Sequence, residues 1–139
     1  MRFMILVKAT KDSEAGAPPS QELLEAMMAY NEELVKAGIM KGGDGLQPSA
    51  KGVRVQFDGP KRAVVDGPFA ETKELVAGYW LWECASLDEA VAWVKRCPNP
   101  MPGPSEIEIR PLYDLADFGE IVTPETEATW QRLKSEIGD

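Results

Sequence analysis

The chain has 139 residues, 44% hydrophobic and 27% charged, the make-up of one ordinary globular domain with no span apolar enough to cross a membrane. Acidic side chains outnumber basic ones by 23 to 15, and the net charge of -8 excludes the positive field that nucleic-acid backbones and anionic lipid surfaces require. Histidine is absent, so Ser-His-Asp and Cys-His catalysis, His-ligated haem and His-containing zinc sites are all excluded.

In chain order, Phe3-Met4-Ile5-Leu6-Val7 is a continuous apolar run, expected to form a strand covered on both faces. No signal peptide precedes it, so cytoplasm is the expected compartment. A loop with Gly16, Pro18 and Pro19 leads to Ser20, a helix N-cap. Leu23, Leu24, Met27, Met28, Leu34 and Val35 then recur at helical spacing, and Gly38 closes the helix. Residues 39–48 contain Lys41-Gly42-Gly43-Asp44-Gly45-Leu46, too rich in glycine for a helix. They read as an irregular strand whose backbone closely approaches a neighbour.

Val53, Val55 and Phe57 alternate with Arg54 and Gln56 in a half-buried strand, which Asp58-Gly59-Pro60 turns into a second strand over 61–65. Residues 75–84 form a further strand, with Tyr79, Leu81 and Glu83 on one face and Trp80, Trp82 and Cys84 on the other. Ser86 and Glu89 have capping-box spacing and open a helix that buries Ala90, Val91 and Val94 and stops before Pro98. After the stiff loop 99–104, Ile107 and Ile109 mark a last strand. Thr123 and Pro124 then start a C-terminal helix whose Trp130, Leu133 and Ile137 are expected to dock on the domain or across a dimer. Helices are too few for a parallel sheet, so the fold class is α+β, a ferredoxin-like antiparallel sheet with helices on one face. Large apolar groups at Phe57, Trp80 and Trp82 predict a homodimer. Cys84 reads as a buried thiol and Cys97 as a more exposed one, with no partner set for a metal.

The segment 64–78, VVDGPFAETKELVAG, places ionisable groups on a turn of little freedom. Asp66 is the candidate catalytic acid or base, expected at a strand end, partly buried near Lys73 or Arg54. Asp44, Arg54, Phe69, Glu71 and Lys73 are candidate ligand-binding residues, with Arg54 suited to a carboxylate or carbonyl. The competing reading has Asp66 bonding its own turn while Glu71, Lys73 and Glu74 face water. Neither a Walker loop nor GxGxxG is present, and no cofactor or metal is expected.

Three stretches carry a family resemblance: Gly42-Gly43-Asp44-Gly45-Leu46-Gln47-Pro48; Val65-Asp66-Gly67-Pro68-Phe69-Ala70-Glu71-Thr72-Lys73-Glu74 with Gly78-Tyr79; and Arg96-Cys97-Pro98 followed by Ile107-Glu108-Ile109-Arg110-Pro111. In that order they resemble the YCII-related (DGPF domain) family over residues 1–113, leaving 114–139 as an extension with a short helix. The resemblance implies a ferredoxin-like subunit that dimerises into an α+β barrel, with a pocket near the DGPF turn. Related barrels include cofactor-free enzymes, and a His–Asp pair is proposed as the catalytic core of the wider group. Without histidine, only Asp66 carries over. The resemblance implies architecture more than reaction. A small-molecule-binding dimer with carboxylate acid/base chemistry is the leading expectation. The alternative is a non-catalytic accessory or regulatory module linked to an extracytoplasmic-function sigma factor.

Overall fold

A computed structural model describes residues 1–138. In chain order the elements are β1 (Arg2–Lys8), α1 (Lys11–Glu14), α2 (Gln21–Lys36), β2 (Met40–Gly45), β3 (Val53–Asp58), β4 (Lys61–Asp66), β5 (Val76–Glu83), α3 (Leu87–Lys95), β6 (Ile107–Pro111) and α4 (Pro124–Glu136). Short 3-10 turns occupy Ser49–Lys51, Thr72–Glu74 and Leu115–Ile121. The main sheet runs β2-β5-β1-β6, antiparallel throughout, which interleaves two split βαβ halves in the ferredoxin-like manner.

Strand alternation decides what is buried. Phe3, Ile5 and Val7 of β1 and Trp80 and Trp82 of β5 share one face, against Tyr30 and Leu34 of α2 and Ala90 of α3. Ile107 and Ile109 of β6 extend the same layer. Met4, Leu6, Tyr79 and Leu81 point to the other face and are half-buried, so β1 is not covered on both faces as its unbroken apolar run suggests. The two tryptophans likewise belong to the core and do not supply apolar surface to a partner. The helix starts follow from their caps: Ser20 Oγ accepts from Leu23 N–H at 3.1 Å, and Ser86 Oγ from Glu89 N–H at 3.1 Å.

The Tyr30 hydroxyl donates to the Trp93 carbonyl and ties α2 to α3. Burial raises its pKa first of all, with the nearby Cys97 adding to the effect. Burial also pushes the Cys97 thiol up to about 11 and raises that of Cys84, so both stay protonated at neutral pH as inert packing groups. Both cysteines are free.

Two segments stand away from this core. Among the described residues β3 and β4 pair only with each other, as a separate ribbon exposed at every residue and not half-buried as its alternation suggests, with Val53, Val55, Phe57 and Val64 on one face. α4 forms with the expected cap, Thr123 Oγ1 accepting from Thr126 N–H at 3.1 Å. It does not dock on its own domain: Leu133 is 44% and Ile137 76% exposed. A cap and an apolar stripe specify a helix, but not the surface that receives it.

Candidate functional site

A cavity of about 920 Å³ opens between α1, the loop that follows it, α2, the β2 edge and the 99–104 loop. α1 is set by the Thr10 cap, in which Thr10 Oγ1 accepts from Ser13 N–H at 3.4 Å and Ser13 Oγ accepts from Thr10 N–H at 2.9 Å. This local box places Asp12 on the cavity lining. The helical spacing of α2 delivers Leu23, Leu24, Met27 and Met28, while Met40 and Met101 come from β2 and the proline-rich loop. Methionine is unbranched and polarisable, so such a wall adapts to flat or irregular apolar bodies.

β2 approaches β5 more closely than an ordinary side chain permits. A Cβ on Gly43 would lie 2.8 Å from both Trp80 Cδ1 and the Tyr79 carbonyl oxygen. The glycine lets the indole lie against the strand, and Asn31 Oδ1 fixes it by accepting from Trp80 Nε1–H at 2.9 Å. The register shift around Lys41 completes the irregular strand expected here, and Asp44 then pairs with Tyr79. Asp12 and Asp44 are both exposed and line the cavity, so they stand at its mouth.

A second cavity of about 580 Å³ lies beside the Asp66-Gly67-Pro68-Phe69 turn and shares Leu46 and Pro48 with the first. Three segments are clamped there. The Glu14 carboxylate accepts from Ser49 N–H at 3.1 and 3.3 Å and from Ser49 Oγ–H at 2.6 Å. Ser49 Oγ accepts from Phe69 N–H at 3.1 Å, and Gly67 N–H donates to the Gly52 carbonyl at 2.9 Å. Phe69 is thereby held beneath Arg54, whose Cζ sits 3.8 Å from the ring centroid.

The residues singled out from the sequence are therefore divided. Asp44 lines the large cavity, Arg54 and Phe69 line the second, and Asp66, Glu71 and Lys73 line neither. Asp66 is exposed, where partial burial is expected from the sequence. The ribbon's register explains its separation from Arg54: Val53 pairs with Asp66 and Arg54 with Val65, so the two side chains leave opposite faces. Glu71 takes a left-handed conformation, φ 62°, leading into the 3-10 turn, and Glu71, Lys73 and Glu74 are all exposed. Asp12, Glu14, Ser49 and the methionines escaped the sequence reading. The Thr10-to-Ser13 capping spacing was the one local signal available for α1. Among the described residues no group of three or more Cys, Asp or Glu is placed to hold a metal ion. Nor is any helix long and apolar enough to cross a membrane.

The model of the YCII-related domain matches residues 1–115. An uncharacterised protein of Rhizobium meliloti (strain 1021) is 34% identical over 92 residues, covering 66% of this chain and 74% of that one. Among solved structures, the 5-chloro-2-hydroxyhydroquinone dehydrochlorinase TftG of Burkholderia phenoliruptrix AC1100, in complex with 2,5-dihydroxybenzoquinone, is similar at 21% identity and a TM-score of 0.42. That likeness covers 78% of this chain and 91% of that one, and at this score it carries no inference about chemistry. The matched length, together with the glycine-bearing β2 edge and the DGPF turn whose geometry is described above, leads to one conclusion: the chain belongs to the YCII-related domain family.

Proposed function

We propose that the protein binds a small organic molecule in the 920 Å³ cavity. The ligand has an apolar, ring-sized body and a hydroxyl or amine donor. One observation carries this reading: methionine and leucine walls converge with two carboxylates, Asp12 and Asp44, drawn from separate segments of the chain. The apolar body lies against Met27, Met28 and Trp80, and the donor meets a carboxylate at the mouth. The chain has no histidine, and the carboxylates that line the cavity, Asp12 and Asp44, are its candidates for proton transfer, with Asp44 the one singled out in the sequence. Asp66, at the foot of the ribbon, is the alternative acceptor.

Titration with 2-naphthol, followed by amide shifts, separates the two. Asp44→Ala removes a charge-assisted hydrogen bond worth about 1.5–3 kcal/mol, so affinity should fall on the order of tenfold or more. Asp66→Ala should leave affinity unchanged. Equal binding by wild type and Asp44→Ala, or a loss confined to Asp66→Ala, contradicts the assignment.

We further propose that the working form is a homodimer. Support comes from the half-buried sheet face of Met4, Leu6, Tyr79 and Leu81, the exposed ribbon face and the undocked stripe of α4. Light scattering at micromolar concentration should give about twice the 15.3 kDa chain mass, and a monomer would refute it. Removing residues 123–139 should weaken that dimer.

A further inference from the structure

We propose that the second cavity is a site of its own for a small organic carboxylate, bound by Arg54 above the fixed ring of Phe69. This goes beyond the ligand of the larger cavity and does not depend on it.

Arg54 carries the inference. Its guanidinium is seated on the Phe69 ring at 3.8 Å, yet it makes no hydrogen bond or ion pair with any described residue. A guanidinium stacked on an aromatic face keeps its N–H fork available, and that fork matches a carboxylate with two parallel bonds. The carboxylate that shares its cavity is Glu14, and both oxygens of Glu14 are engaged by Ser49. Lys51 adds a second cation to the lining.

The ring beneath Arg54 is held by the surrounding backbone. Phe69 N–H is bonded to Ser49 Oγ, and a Cβ on Gly67 would lie 1.8 Å from the Ser49 carbonyl oxygen. The platform therefore exists before a ligand arrives, which lowers the cost of ordering on binding. Leu75 and Val76 line the cavity on its apolar side. The volume of about 580 Å³ accommodates a carboxylate with a compact apolar body. A bare inorganic anion would use Arg54 but leave the apolar wall without a role.

Benzoate and inorganic phosphate, titrated separately into the full chain and followed by amide shifts, distinguish these sources. Benzoate should shift the Ser49, Lys51, Gly52 and Phe69 amides saturably. Arg54→Gln should weaken it on the order of tenfold or more. Arg54→Lys should weaken it too, because an ammonium lacks the planar fork. Phe69→Leu should weaken benzoate by removing the platform. No saturable shift at these amides, equal binding by Arg54→Gln, or shifts confined to residues 40–45 and 77–80 would overturn the proposal. Phosphate binding more tightly than benzoate would overturn its chemical class.

Discussion

Gly67→Ala should destabilise the protein by about 3 kcal/mol, far more than an added methyl group at an exposed turn. The methyl carbon would lie 1.8 Å from the Ser49 carbonyl oxygen, 2.7 Å from its carbon and 3.3 Å from Ala50 N. All three are backbone atoms, and no side-chain rotation relieves the overlap. The Ser49–Lys51 turn cannot move aside cheaply, since the Glu14 carboxylate holds Ser49 through both its amide and its hydroxyl. Separating the segments would also break the Gly67 N–H to Gly52 carbonyl and Phe69 N–H to Ser49 Oγ bonds, each worth about 1 kcal/mol net. Urea unfolding of the variant checks the magnitude, and a loss well under 1 kcal/mol would show that the clamp is absent in solution.

Trp82→Ala should cost about 3–5 kcal/mol, enough to leave a domain of ordinary stability close to its unfolding threshold. Trp82 is fully buried, pairs with Phe3 on β1 and Met40 on β2, and its ring lies 5.8 Å from that of Trp80. Its indole Nε1–H has no hydrogen-bond partner among the described residues, so part of what its burial contributes is offset by an unpaired donor. Trp82→Phe removes that donor along with some volume, and should cost less than half as much as the alanine variant. If the two variants lost equal stability in urea unfolding, filling this space with an aromatic ring would be without consequence, contrary to the expectation.

Much of the architecture is legible in the sequence because it depends on local rules. Ser20, Ser86 and Thr123 announce their helices through the orphan N–H groups they satisfy, and alternation along 75–84 sorts Trp80 and Trp82 from Tyr79 and Leu81. The glycines before Asp44 signal a close approach, and Gly43 against Trp80 is that approach. Coverage is not legible in this way. An alternating pattern shows that a strand has two faces and leaves open what lies on each, so the detached ribbon and the undocked α4 are tertiary facts. The separation of Asp66 from Arg54 could have been read: once the reversal sits at Gly59-Pro60, the register places Arg54 opposite Val65 and Asp66 one pleat away. The large cavity could not, because Asp12 and Asp44 come from segments with no motif in common and meet only through the fold.

The most direct measurement is a set of intermolecular NOEs between 2-naphthol and the ε-methyl groups of the methionines in the full-length protein. A ligand in the large cavity should give contacts to Met27, Met28 and Met101, which line it, and none to Met1, which does not. Contacts to none of the lining methionines, with ligand signals only from Val55, Phe57 and Val64 of the ribbon, would contradict the account by placing binding on the exposed apolar surface.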